Sequence, residues 1–211
     1  QVRPGVNIDH LRWVGNYIAE KKPDVIIQIG DFADMPSMSK YSLGKAEAEG
    51  KRYTSDIRAA KRAMDILMAP IRAVKGYNPK MVLTLGNHED RIDREAEANP
   101  RLKGLISTKD LGYEGYGWDV VPFLKIYKID GIMYTHYFTS GVMGRPVSSA
   151  RAILNNYHSS GIMGHVQLTD IAIHPRSGHV GMIVGCCYPP DEKYLTQQGN
   201  TCRRQIVMLH E

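Results

Sequence analysis

Cysteine is scarce in this chain, and no spacing pairs what there is. Cys186, Cys187 and Cys202 make an odd count, and no CxxC occurs. That excludes a disulfide framework and reads as reduced thiols in an intracellular protein, so a cytoplasmic setting is expected. Long apolar runs are also missing: none approaches the ~18 residues of a membrane span, and nothing at the N-terminus resembles a signal peptide. No membrane partner is expected. Internal repeats, low-complexity tracts and linkers are absent too, so residues 1–211 read as a single domain. The chain opens on Gln1 without Met, and a first strand ahead of it is expected to be truncated or missing.

What is present is ordinary in amount and uneven in placement. Hydrophobic residues make up 43% and charged residues 23% of 211. A chain of this length buries roughly 70% of its unfolded surface without staples. The net charge of +5 and a pI near 9.0 lean toward anionic partners such as phosphate esters or nucleic acid, or serve solubility alone. The sequence leaves the oligomeric state open.

The order of elements is βα units first and strands second. Residues 10–22 place Leu11, Val14 and Ile18 on one helical face, with Pro23 beyond. DVIIQIG (24–30) and MVLTL (81–85) have the continuous apolar character of strands covered on both faces. Between them, 33–54 shows no period and reads as a surface insertion. Ser55 is positioned to cap a helix over 55–74 that Pro70 kinks or divides. A charged helix follows over 90–99, then a Gly- and aromatic-rich stretch at 112–118. Strands are then predicted over 122–129, 131–138, 161–166, 170–174, 181–188 and 204–211, the first two joined at Asp130-Gly131. One further helix spans 147–157, with Ser148 or Ser149 as its cap.

Four apolar runs end in groups that bind metals: Asp31 and Asp34, Asn87 and His88, His136, and His165. In α/β sheets, functional side chains gather just past the carboxyl ends of strands. If these ends are neighbours, a carboxylate, an amide and two imidazoles meet. Such a mixed N/O set favours Zn, Mn, Fe or Ni over Ca. Gly30, Gly86 and Gly164 precede three of the clusters and permit close approach. For substrate, Lys40 and Tyr41 in the 40–53 segment, Tyr113, Tyr116 and Trp118, and Arg145 in GVMGR combine cations with aromatics. That mixture suits a nucleic-acid backbone and its bases, or a solvated loop with aromatics packed beneath it.

The motifs Gly30-Asp31-Phe32-Ala33-Asp34, Gly86-Asn87-His88-Glu89, His136 and Gly164-His165-Val166-Gln167 stand in the order found in another group of proteins. In them the chain resembles the calcineurin-like metallophosphoesterases, whose signature runs D-x-H, G-D-x-x-D, G-N-H-[DE], a lone His, and G-H-x-H. The resemblance implies an α/β fold of two mixed sheets packed face to face with helices outside, an α/β/β/α sandwich. It implies a metal-dependent phosphoester hydrolase in which Asp31 bridges two divalent ions and Asn87, His136 and His165 complete one site. His88 would protonate the departing oxygen, and Asp34 would orient His88 or merely cap a turn. Two positions depart from the signature. Gln167 replaces the final His, and Gln1 falls in the His slot of the first motif. Both serve the same metal, so that site is expected to be weaker, suited to Mn or Mg, or empty. The competing expectation is a phosphoesterase-fold binding module that does not hydrolyse.

Overall fold

Two parallel strands explain why the polar clusters at 31 and 87 can meet. The structure, a computed structural model, describes residues 1–42, 44–187 and 202–210. Leu43 in the expected insertion, and Tyr188 and Glu211 at the ends of expected strands, lie outside the described residues. The fold is mixed α/β, and the chain divides into two compact units, Gln1–Val120 and Val121–Glu211. Among the described residues, no helix is long and apolar enough to cross a membrane.

In the first unit, α1 (Asp9–Lys21), β1 (Val25–Gln28), α2 (Tyr53–Arg72), β2 (Lys80–Thr84) and α3 (Asp90–Ala98) follow in turn. β1 and β2 pair in parallel, Val25 against Lys80 through Gln28 against Leu83. Parallel neighbours need a crossover, and α2 supplies it. Because the strands end level with each other, the loops after Gln28 and after Thr84 leave side by side. A third strand, β3 (Asp119–Val121), completes the sheet in the order β1-β2-β3.

α2 buries Ile57, Ala60, Met64, Leu67, Met68 and Ile71, an i, i+3, i+4, i+7 stripe. It begins at Tyr53 with Arg52 as cap residue, so Ser55 lies inside the helix and caps nothing. Pro70 neither divides nor ends it, since the helix continues to Arg72. The proline forgoes one i→i−4 hydrogen bond, and the helix runs on past it. α1 crosses here: a Cβ on Gly15 would lie 2.3 Å from the Leu67 carbonyl oxygen and 2.7 Å from Pro70 Cγ.

The expected insertion starts later than 33, because Ala33, Asp34 and Met35 are buried. Single 3-10 turns at Pro36–Met38, Lys40–Ser42 and Ala46–Ala48 carry the exposed part. Tyr113 and Trp118 are buried, and Tyr113 meets Phe32 edge-to-face at 6.0 Å. These two aromatics therefore build core, which removes them from the candidate substrate contacts.

The second unit holds β4 (Tyr127–Ile129), β5 (Ile132–Tyr134), β6 (Thr139–Ser140), β7 (Arg145–Pro146), α4 (Ala150–Tyr157), β8 (Gly161–Gln167), β9 (Asp170–Ile173) and β10 (Val180–Gly185). Five of the strands form one mixed sheet in the order β4-β5-β8-β10-β9. β4 and β5 are antiparallel around Asp130 (φ 49°) and Gly131 (φ 77°), as that dipeptide predicted. Ser149 caps α4 by accepting from the Ala152 N–H at 3.2 Å. Met133, Phe138, Val147, Ala150, Ile153, Met163 and Ile183 form the core beneath it.

Three strand expectations need correction. The strand expected from 122 begins only at Tyr127, the one expected over 131–138 ends at Tyr134, and 204–210 contribute a single bridge, Cys186 to Arg204, while residues 119–121 form a strand that was not expected. Short β-branched runs do not reveal whether a partner strand is within reach.

Gly15→Ala should destabilise the first unit by about 1–3 kcal/mol, since backbone lies where the methyl would go. Denaturant unfolding followed by far-UV circular dichroism measures it.

Candidate functional site

Each unit contributes one polar cluster. In the first, Asp31 follows Gly30 off β1, and both are left-handed, at φ 55° and 76°. What holds this turn is Glu89, which is fully buried. Its Oε2 accepts from the N–H of Asp31 at 3.0 Å and of Gly86 at 2.9 Å, and its Oε1 from the N–H of Ala33 at 2.8 Å. One carboxylate thus ties the loop after β1 to the loop after β2. Gly86 is required by the same contact, because a Cβ there would lie 2.1 Å from Asp31 Oδ1. Burial pushes the Tyr113 phenol well above its ordinary pKa, and the Glu89 and Asp31 carboxylates push it further.

Asp31 Oδ1 accepts from the His88 backbone N–H at 3.1 Å, and its Oδ2 from Gln1 Nε2 at 3.1 Å. Gln1 reaches it because Val2 runs parallel to Ala33, with Val2 N–H on the Phe32 carbonyl at 2.7 Å. The first-motif glutamine therefore stands beside Asp31 and presents its NH2 group there. Asn87 lies in the same turn as His88, half-buried, and its carbonyl accepts from Arg94 at 3.3 Å.

The His88 ring is held at both nitrogens. Nδ1 lies 2.7 Å from Asp34 Oδ1 and 3.1 Å from the Asp34 carbonyl oxygen, so it carries the proton and donates. Nε2 faces Arg91 Nη2 at 3.2 Å, and a guanidinium can only donate, so Nε2 accepts. Asp34 is buried, which alone would raise its pKa. The hydrogen bond from His88, with the charges of Arg91 and Arg3 nearby, outweighs that and holds it below its ordinary value. The carboxylate and carbonyl of Asp34 together fix the direction of the His88 ring.

The second cluster begins where β5 ends. His136 is buried two residues past Tyr134, and its carbonyl accepts from the Gly164 N–H at 3.0 Å. His165 (φ 66°) and Gln167 (φ 62°) are left-handed within β8, where the register slips against β10 between Ile183 and Gly185. Such a bulge re-aims a side chain out of the ladder. His136 Nε2 and His165 Nδ1 come to 3.2 Å, with the rings 5.1 Å apart and nearly perpendicular. Tyr137 lies against the His165 ring at 4.7 Å, and Phe123 against Tyr137 at 5.6 Å. Two nitrogens each about 2.1 Å from one cation, at tetrahedral or octahedral angles, are about 3.0–3.4 Å apart. The imidazole pair fits that spacing. Gln167 Oε1, by contrast, accepts from Cys202 Sγ at 3.2 Å.

Lys40, Tyr41 and Arg145 are exposed, the first two in a 3-10 turn and the last in β7. Sequence reasoning assigned no role to Glu89, Arg91 or Arg3. Glu89 stood inside a quoted motif, and Arg91 one helical turn after His88. Arg3, whose Nη1 lies 3.5 Å from Asp34 Oδ2, left no comparable signal.

Two similar proteins bear the name "Gene 54 protein", from Mycobacterium phage L5 and Mycobacterium phage D29. They are 30% and 28% identical over 172 residues, which is 78% of this chain and 65% of each relative. The chain thus spans just under two thirds of the length of these relatives. No family model and no solved structure matches it.

Two outcomes follow. Glu89→Ala strands three backbone donors and should cost about 2–4 kcal/mol in denaturant unfolding. For Asp34, a folded pKa below the ordinary 3.8 means that its contribution is present above that value and fades as pH falls through the folded one. Acid unfolding of Asp34→Asn should accordingly be less steep than that of the unaltered chain, as read by tryptophan fluorescence against pH.

Proposed function

We propose that this chain is a metal-dependent phosphoester hydrolase, built as a sandwich of two sheets between helices and acting on phosphodiesters of nucleotides or nucleic acid. The observation that carries the reading is the donor set. His136 and His165 hold two imidazole nitrogens 3.2 Å apart, and with the Asp31 carboxylate as a third proposed donor they make a set suited to one divalent cation. Asn87, Gln1 and Gln167 are the further proposed ligands, for two ions drawn from Mn, Fe, Zn, Ni or Mg. When bound, divalent ions activate water as a nucleophile and neutralise charge on the phosphoryl oxygens.

The chain's own residues supply the rest. His88 presents Nε2 toward Asp31, whose Oδ2 lies 3.8 Å away, so a proton carried there can pass to the departing oxygen. Asp34 fixes the ring by holding Nδ1–H, which keeps Nε2 the reactive nitrogen. Asp31, with both oxygens already oriented by hydrogen bonds, keeps a defined direction for a ligand. Lys40, Tyr41 and Arg145 are the proposed contacts to a polyanionic substrate, supported by their exposure and the net charge of +5.

A second reading, a binding module that does not hydrolyse, is favoured by one specific observation. Gln1 turns its NH2 to Asp31, and the Gln167 oxygen accepts from Cys202, so both side-chain amides already serve contacts within the chain. Against it stands the ordered His88–Asp34 pair, for which simple binding has no use.

Turnover of bis(4-nitrophenyl) phosphate separates the two. The hydrolase reading expects hydrolysis with Mn2+ that EDTA abolishes. Further, His88→Ala should lower the rate on esters with alkoxide leaving groups by about 10²–10⁴ and on nitrophenyl esters far less. No turnover with any divalent metal contradicts the reading and favours the module.

A further inference from the structure

Arg91 is a nearly buried cation whose carboxylate partner, Asp34, is shared with His88 and Arg3. Its side chain is 14% exposed, and its short contacts are to neutral acceptors: the Asp34 carbonyl oxygen at 2.8 Å and His88 Nε2 at 3.2 Å. Among the described residues its ion-pair partner is Asp34 Oδ1, at 3.6 Å. That oxygen is already taken by His88 Nδ1 at 2.7 Å, and the other oxygen of Asp34 by Arg3 at 3.5 Å. A guanidinium withdrawn from water requires charge compensation and prefers a forked oxyanion partner. Its place in the first turn of α3 deepens the mismatch, since the helix dipole disfavours a cation there.

The geometry points to Arg91 as the anchor of an oxyanion subsite, taking a phosphoryl group beside His88. This rests on the hydrolase reading for the identity of the ligand, though not for the existence of the subsite. Arg91 Nη2 sits on the ring nitrogen that would serve the departing oxygen. An incoming phosphoryl oxygen offers the guanidinium a charged acceptor in place of that nitrogen. Binding therefore draws Arg91 from His88 to the substrate and leaves the Gln1 NH2 group, at 3.3 Å, as the remaining contact of Nε2. The fork bonds two oxygens at once, which fixes the orientation of the group as well as its presence.

The test is calorimetric titration of inorganic phosphate into the whole chain with Mn2+ supplied. Arg91→Ala should weaken phosphate binding by about tenfold or more, and Arg91→Lys by less, because an ammonium keeps the charge but loses the fork. Arg94→Ala, on the same helix but half exposed and paired with Asp90, should stay within about twofold. Near-UV circular dichroism checks folding, and where Arg91→Ala fails to fold, Arg91→Lys decides alone. The proposal is overturned by folded variants at Arg91 that bind like the unaltered chain, by an equal loss in Arg94→Ala, or by no binding up to about 10 mM. A chain that hydrolyses no phosphodiester but loses phosphate with Arg91→Ala keeps the subsite and loses the hydrolase reading. Turnover with unchanged phosphate affinity does the reverse.

Discussion

The Glu89 carboxylate, sealed from solvent and accepting from three backbone N–H groups, is the constraint on which the first polar cluster depends. Asp31 sits in a left-handed turn that side chains adopt at a cost, though Asp tolerates it better than most. Removing the acceptor would leave buried donors without partners, so the turn and the carboxylate exist together. The consequence is directional: Asp31 is fixed at its backbone by Glu89, and at its carboxylate by the His88 N–H and Gln1. A ligand aimed this way loses little freedom when it binds.

The second cluster reaches the same end by different means. The imidazole pair depends on a register slip in β8, where His165 and Gln167 leave the regular ladder. Its surroundings are aromatic, with Tyr137 and Phe123 against the rings. Strained backbone retained at two positions of one strand, next to two converging nitrogens, is the pattern expected where a site matters more than local stability. Gln167 is part of that strain, yet its oxygen is engaged by Cys202.

Much of this was legible in the residues. The parallel strands, the helices after them, the Asp130-Gly131 hairpin and the Ser149 cap follow from period, turn chemistry and capping. The ends of the apolar runs at Asp31, Asn87, His136 and His165 marked the polar clusters. What escaped was set by tertiary contact. α2 begins at Tyr53, with Arg52 rather than Ser55 at the cap position, and the Tyr53 hydroxyl is engaged by distant Asp110. Tyr113 and Trp118 looked like substrate contacts but fill a core that no local pattern reveals. Glu89 was visible only as a motif letter; its task emerges when the two loops are seen to share it. Arg91 carried no signal beyond its spacing from His88.

The proposal stands or falls on Asp31, His136 and His165 serving one cation. Its most direct test is X-ray absorption at the metal edge on Mn- or Zn-loaded protein, with metal counted in Asp31→Ala and His165→Ala. The account predicts two imidazole nitrogens at about 2.0–2.2 Å in the unaltered chain, and loss of tightly held metal in either variant. A metal bound equally well without Asp31, or a shell free of imidazole, would contradict it.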